Sequence, residues 1–375
     1  MLQARAEVEL MAPLPLDPAP ALDEDAIARA ADLLAKAQCP VIFVGGGALD
    51  AAAEVRELAE RLGAPVVAYR RGKGVLDDRH PLSHMLPGGH ALWRSADVVL
   101  AVGTRLQMQL SGWGTDDKLK LIKVDIDRGE LDRIHAPELG LAGDAAAVLA
   151  RLNAHLRQLP PTRSERVAQS RALKERIAVD AASALAPQAG FLRAIRDVLP
   201  DDGVLIDELT QVGYSARAIY EARKPRTFIS SGYQGTLGWG IAVALGAKHA
   251  LGAAPVVALS GDGGFMFNVQ ELATAVRHRI PIVVIIFNDG AYGNVRNMQK
   301  SLHGNRLIGT DLTNPDFVRL AESFGIAGHR AGNPEGLRQA LEKSLASNEP
   351  ALIEVPVGEM PSPWPFIDLP RVRGA

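Results

Sequence analysis

The chain of 375 residues holds one cysteine, Cys39. That excludes an internal disulfide framework and a cysteine-based zinc site. It has no excess of either charge: 41 Lys and Arg stand against 43 Asp and Glu, a formal net charge of −2. Without a basic excess, nothing draws the chain to nucleic-acid phosphates or to an anionic membrane. No long hydrophobic run occurs either. The longest tight one, residues 280–287, is far short of the roughly 20 residues that cross a bilayer. Residues 1–10 carry charges throughout and have no apolar core, so they do not form a secretory signal. Repeats and low-complexity tracts are missing. What remains is 47% hydrophobic and 22% charged, a globular composition. The expectation is a cytoplasmic α/β protein of two or three domains, with no nucleic-acid or membrane partner.

Residues 1–22 read as a linker, because prolines between 12 and 20 favour extended backbone. From residue 23 helix and strand patterns alternate. A helix is predicted over 25–38 with Ile27, Leu33 and Leu34 on one face, stopped by Pro40. Strand 41–44 runs into Gly45-Gly46-Gly47. Asp50 is placed to cap a helix that turns Val55, Leu58 and Leu62 inward and ends at Gly63. Strands at 65–68, 97–102 and 121–125 and a helix at 145–156 complete a central domain, 23–157. Residues 158–188 are polar, helical in the middle, and read as a connector. A second alternating block, 189–360, has strands at 204–206, 228–230, 256–260, 282–287 and 351–355. Its helices are at 191–198, 239–251, 269–277, 316–324 and 335–346. Residues 361–375 read as an irregular tail. The fold class is α/β: two doubly wound, mostly parallel-sheet domains, the first Rossmann-like.

The chemistry concentrates between 256 and 295. One apolar strand ends in Ser260-Gly261-Asp262-Gly263-Gly264, with a helix expected to follow at once over 268–277. A second ends in Asn288-Asp289-Gly290-Ala291-Tyr292-Gly293. In a parallel sheet both ends lie on the carboxyl edge, where open α/β sheets bind ligands. Asp289 comes 27 residues after Asp262. Two carboxylates brought together there repel unless a cation lies between them. Hard oxygen donors with a nearby carbonyl suit Mg²⁺ or Ca²⁺ rather than zinc. Gly261, Gly263 and Gly264 let main-chain N–H groups approach a phosphate, and the following helix offers its positive end. The segment therefore reads as a Mg²⁺–diphosphate site. The competing reading is two tight turns.

These residues resemble the signature of thiamine-diphosphate-dependent enzymes, closest to the acetolactate synthase, pyruvate decarboxylase and benzoylformate decarboxylase branch. The segment 230–247, beginning Ser230-Ser231-Gly232-Tyr233-Gln234-Gly235-Thr236-Leu237-Gly238, is similar to the family stretch that precedes the diphosphate site. Gln270-Glu271-Leu272-Ala273-Thr274-Ala275 also matches. Residues 25–156 look like the family's central domain through Gly45-Gly46-Gly47, Gly72-Lys73-Gly74, Gly103-Thr104-Arg105 and Asp125-Ile126-Asp127. The resemblance implies thiamine diphosphate and Mg²⁺ as cofactors. It implies Asp262, Asp289 and the Ala291 carbonyl as metal ligands and Gly263 and Gly264 along the diphosphate, with Gly261 and Tyr292 also binding the cofactor. Leu237 falls where an apolar residue props the cofactor into a bent form, and the Gly235 carbonyl where it accepts from the aminopyrimidine. The bent form generates the carbanion that attacks 2-oxo acids.

Two departures bear on specificity. Asp289 stands where the family usually has Asn. The stretch Val295-Arg296-Asn297-Met298-Gln299 has Met298 where biosynthetic acetolactate synthases carry tryptophan, and Val295 where pyruvate decarboxylases carry an acidic residue. In the central domain Gly45-Gly46-Gly47 lacks the dinucleotide spacing. FAD binds there in some relatives, and a structural role is the favoured reading. His84 and His90 are expected in a loop as surface or packing residues. Asp207 and Glu208 either face substrate or form a solvated strand end.

The family's first domain, which binds the aminopyrimidine and carries an activating glutamate, has no counterpart in these residues; Glu7 and Glu9 lie in the leader and take no such role. The expected function is thiamine-diphosphate-dependent decarboxylation or carboligation of a 2-oxo acid, acetolactate synthase-like, with a complementing pyrimidine domain. Alternatives are a truncated, non-catalytic thiamine-diphosphate-binding protein, a benzoylformate decarboxylase-like enzyme, and an FAD- or nucleotide-binding regulatory module. Expected partners are a small 2-oxo acid and further subunits, in a homo-oligomer or with a chain bearing the pyrimidine domain.

Overall fold

The computed structural model describes residues 5–13, 20–158, 164–232 and 234–374. Parts of the expected leader (1–4 and 14–19), part of the connector (159–163), Tyr233 and Ala375 lie outside the described residues.

Two six-stranded sheets, every strand pair parallel, organise the chain. The first contains β1 Pro40–Val44, β2 Val66–Ala68, β3 Ser83–His84, β4 Val98–Val102, β5 Lys120–Asp125 and β6 Leu139–Ala142, in the order β3-β2-β1-β4-β5-β6. The second contains β7 Val204–Asp207, β8 Phe228–Ser230, β9 Val256–Gly261, β10 Ile282–Asn288, β11 Ala327–Arg330 and β12 Ala351–Pro356, in the order β11-β12-β10-β9-β7-β8. The central strands are unbroken apolar runs because helices cover both faces. Every residue of β1 and β4 is buried, and so are the first six of β10. Each such Val, Ile or Leu side chain contributes roughly 1.5–3 kcal/mol through burial.

The sequence pattern located nine of these strands and missed β3, β6 and β11. β3 is two residues long, and β11 is only half-buried at a sheet edge. Such strands take their identity from the neighbouring ladder rather than from their own periodicity. Four further expectations are corrected. Asp50 does not cap its helix: Ala51 is the N-cap of Ala52–Leu62 without a side-chain bond, and Asp50 Oδ2 accepts from Arg226 at 2.8 Å. Gly63 does end that helix, in the left-handed region at φ 58°. The helix after Gly261 is split into one turn, Asp262–Phe265, and a separate helix, Glu271–His278. His84 and His90 are not in a loop. His84 is buried on β3 beside Ser170 Oγ at 2.7 Å, and His90 sits in helix Leu86–Trp93. Helices Gln211–Ile219 and Gly293–Leu302 had no expected counterpart.

Residues 164–184 form one helix that lies against the first sheet's domain. Arg166 donates to the Leu62 and Ala37 carbonyls, and Lys174 to those of Asp78 and His80. Asp78 ties the two halves: its carboxylate accepts from Ala222 N at 2.8 Å, and its own N–H donates to Ala222 O at 3.1 Å. Arg70 donates to the Ser231 and Gly232 carbonyls across the same boundary. Among the described residues no helix is long and apolar enough to cross a membrane.

The last residues are irregular apart from a 3₁₀ turn, Trp364–Phe366, yet they are anchored. Arg373 is buried, donates to the carbonyls of Trp93, Arg94 and Ala96, and pairs with Asp116 at 2.8 Å. Arg373→Ala leaves those buried carbonyls without their donor, and is expected to destabilise the central domain by about 3 kcal/mol. Urea unfolding followed by Trp93 and Trp113 fluorescence measures it.

Candidate functional site

The chain leaves β7 for β8 on one side and returns to β9 on the other. At such a switch the loops diverge and open a crevice at the carboxyl edge. The residues just past β7, β9 and β10 meet there. Pairing of Phe287 with Gly261 sets the end of β10 level with the end of β9, so Asp262 and Asp289 emerge side by side from adjacent strands.

Asp262 is buried and Asp289 half-buried. Burial raises both carboxyls above the ordinary range. Asp289 is pushed up to about 6, by burial first and by the Asp262 charge second. Asn314 restrains the rise at Asp262, its Nδ2 donating to Oδ2 at 2.6 Å. The same amide donates to Asn288 Oδ1 at 2.9 Å, while Asn288 Nδ2 donates to Glu354 Oε1 at 2.8 Å. Asn288 is thus spent on structure and Asp289 is the group left toward Asp262. Ala291 N donates to Asp289 Oδ1 at 3.1 Å. Bonds from Tyr292 N to Thr310 O and from Leu312 N to Gly290 O, both 2.9 Å, fix the peptide around Ala291. No group of three or more His, Cys, Asp or Glu is placed to hold a metal ion by itself among the described residues. Two carboxylates and a carbonyl suit a hard cation that completes its shell with water and phosphate oxygens.

The turn Asp262–Phe265 presents glycine where side chains would not fit. A Cβ on Gly263 would lie 2.6 Å from the Tyr292 ring, and one on Gly264 would lie 2.6 Å from Glu208 Oε1. Leu237 is partly buried, with Cδ2 3.6 Å from the same Gly264 position, so it rests over the turn. Gly235 is exposed beside Leu209, and Thr210 flanks Gly261 at 3.4 Å. Gln211 opens the helix behind Thr210. Its side chain is buried, and neither amide atom has a partner. An unpartnered amide, a helix start with no side-chain cap and a glycine cradle together fit a phosphate group.

The structure brings together Gly235, Leu237, Gly261, Asp262, Gly263, Gly264, Asp289, Ala291 and Tyr292. Glu208, Thr210, Gln211 and Asn314 were not singled out as site residues; only the Asp207-Glu208 pair after β7 gave a signal. That pair is no solvated strand end. Asp207 is fully buried, with Arg217 Nε at 2.5 Å and Ser230 Oγ at 3.1 Å, and burial pushes its carboxyl up to about 6. Val295 and Met298 lie exposed on helix Gly293–Leu302. In the other domain a cleft of about 820 Å³ opens at the β1/β4 switch, lined by Gly45, Gly47, Gly103, Arg105 and Asp125 among others.

Two family descriptions match the chain: "Thiamine pyrophosphate enzyme, central domain" over residues 27–152 and "Thiamine pyrophosphate enzyme, C-terminal TPP binding domain" over residues 209–355. A probable acetolactate synthase large subunit of Methanocaldococcus jannaschii is 33% identical over 88% of this chain and 59% of its own length. An acetolactate synthase large subunit of Corynebacterium glutamicum is 34% identical over 91% of this chain and 58% of its own. A probable 2-ketoarginine decarboxylase of Pseudomonas aeruginosa is 32% identical over 88% and 60%. The chain thus spans about three-fifths of the length of these curated relatives.

The raised Asp289 carboxyl makes a prediction independent of any ligand. An acid that binds its proton more tightly when folded weakens the fold as pH rises through its folded value, about 6 here. Asp289→Asn is expected to raise the melting temperature of the metal-free chain by a few degrees at pH 8 and to leave it unchanged at pH 4. Calorimetry at the two pH values checks this.

Proposed function

The chain belongs to the thiamine pyrophosphate enzymes, carrying their central and C-terminal domains, and from this premise we propose that it holds the Mg²⁺–diphosphate half of an enzyme that decarboxylates a 2-oxo acid or joins it to an acceptor. One observation carries the reading: two buried carboxylates leave adjacent strands beside a glycine cradle. Asp262, Asp289 and the Ala291 carbonyl hold Mg²⁺. Gly261, Gly263, Gly264 and the Gln211 amide receive the diphosphate. Leu237 and the Gly235 carbonyl set the shape and direction of the rest of the cofactor, and Tyr292 closes the side next to Gly263. Bound there, thiamine diphosphate would supply the nucleophilic carbon and electron sink that decarboxylation of a 2-oxo acid needs.

The named relatives include synthases and a decarboxylase, and the acetolactate synthase-like reading is preferred. Exposed, apolar Val295 and Met298 favour a 2-oxo acid with a small aliphatic side chain over one with a charged side chain. The activating carboxylate on the pyrimidine side is assigned to a complementing segment or subunit, in an oligomer in the cytoplasm. FAD in the cleft beside Gly45 and Gly103 is a lesser reading, resting on the size of that cleft.

Trp239 follows Gly238 directly, so tryptophan fluorescence reports on cofactor binding. Thiamine diphosphate is expected to quench it saturably and only with Mg²⁺, and Asp262→Ala to weaken binding roughly 100-fold, about 2.7 kcal/mol. Binding that is absent, or unchanged in Asp262→Ala, contradicts the site. The 375-residue chain is expected to turn over pyruvate slowly alone and faster once a pyrimidine-binding domain is added. Binding without turnover even then favours the non-catalytic alternative.

A further inference from the structure

Glu208 lies one residue past β7, is 1% exposed, and has no arginine or lysine partner among the described residues. Its carboxylate is held instead by neutral donors from two distant segments. Ser260 Oγ donates to Oε2 at 2.6 Å from the end of β9, 52 residues away. The N–H of Gly238 donates to Oε1 from 30 residues away, and the N–H of Gly240 also faces the carboxylate. These N–H groups open the helix Trp239–Leu251, whose N-cap Gly238 has no side chain to cap it. The positive end of a helix stabilises an anion, and here the anion is delivered by another strand.

Two glycines make room for it, and a third aims a donor at it. A Cβ on Gly240 would sit 2.8 Å from Oε2, and one on Gly264 would sit 2.6 Å from Oε1. Gly238 takes φ +81°, a left-handed value that a side chain disfavours, and this turns its N–H toward Glu208. The carboxylate therefore fastens the turn 235–238 to the ends of β7 and β9. Leu237 Cδ2 and Glu208 Oε1 approach the same Gly264 position, at 3.6 and 2.6 Å.

We propose that Glu208 is a positioning residue: through Gly238 and Ser260 it holds the turn that carries Gly235 and Leu237 in place for the non-phosphate part of the cofactor. This rests on the reading of the site given above. Because the anion position at helix Trp239–Leu251 is already filled by Glu208, the diphosphate is left to the turn Asp262–Phe265 and the helix start at Gln211. Loss of the Glu208 charge should then affect the thiamine portion and spare the diphosphate.

The test compares two probes on the full chain by titration calorimetry, Mg²⁺ with thiamine diphosphate and Mg²⁺ with inorganic pyrophosphate. Glu208→Gln keeps the volume but turns an N–H₂ toward donors. It is expected to weaken thiamine diphosphate roughly 10-fold and to leave pyrophosphate within about twofold. Ser260→Ala, which removes one donor only, should shift the same ratio in the same direction by less. Equal losses for both probes would place Glu208 in the fold or the phosphate cradle, and no loss for either would make the contact irrelevant; each result overturns the proposal. Wild-type chain that binds neither probe overturns the site reading itself, a distinguishable outcome.

Discussion

Like charge at close quarters is the constraint on which the rest of the site depends. A parallel ladder sets the ends of β9 and β10 level, and the sequence puts a carboxylate just past each. In water such a pair is tolerable. Beside buried strands, with Asp262 2% exposed, it is not, and Asp289 responds by holding its proton up to about pH 6. A cation between them would remove the conflict, and the neighbouring glycines leave room for a phosphate beside it. Without a cation the cost falls on protonation instead, as the raised carboxyls of Asp262 and Asp289 show.

Around this pair the protein uses neutral groups to keep other charges in check. Asn314 bridges Asp262 and Asn288 and so joins the two strand ends through one amide. Asp207, buried with Arg217, and Glu354, paired with Arg330 at 2.7 Å, are exceptions. Glu208 is met by a hydroxyl and backbone N–H groups alone. The edge of the second sheet is thus a row of carboxylates, each with a different solution to desolvation. Asp207 keeps one buried oxygen without a partner but has Arg217 beside it, whereas Asp262 and Asp289 face each other, which is why the ligand reading falls on that pair.

Much of this was legible in residues alone. The six apolar residues that open β10 and the glycine-framed Asp262 are local patterns, so the strand ends and the spacing of the two carboxylates could be read directly. Leu237 gave no signal of its own and was found through family resemblance. What was hidden was non-local. Glu208 acquires its meaning from residues 30 and 52 positions away, and from strand β7 its burial looks no different from exposure. Asp50 has the pattern of a helix cap, but Arg226, brought close by tertiary folding, takes its carboxylate. The helix after Gly261 breaks after one turn, a geometry that propensity does not encode.

The central claim is that Asp262 and Asp289 share one divalent cation. Manganese replaces magnesium in oxygen-ligand sites and scatters anomalously. Crystals of the chain grown with Mn²⁺ and thiamine diphosphate are expected to give a single strong anomalous peak, about 2.1–2.2 Å from an oxygen of each carboxylate and from the Ala291 carbonyl. A peak bound to only one of the two carboxylates, or none at the ends of β9 and β10, would contradict the account.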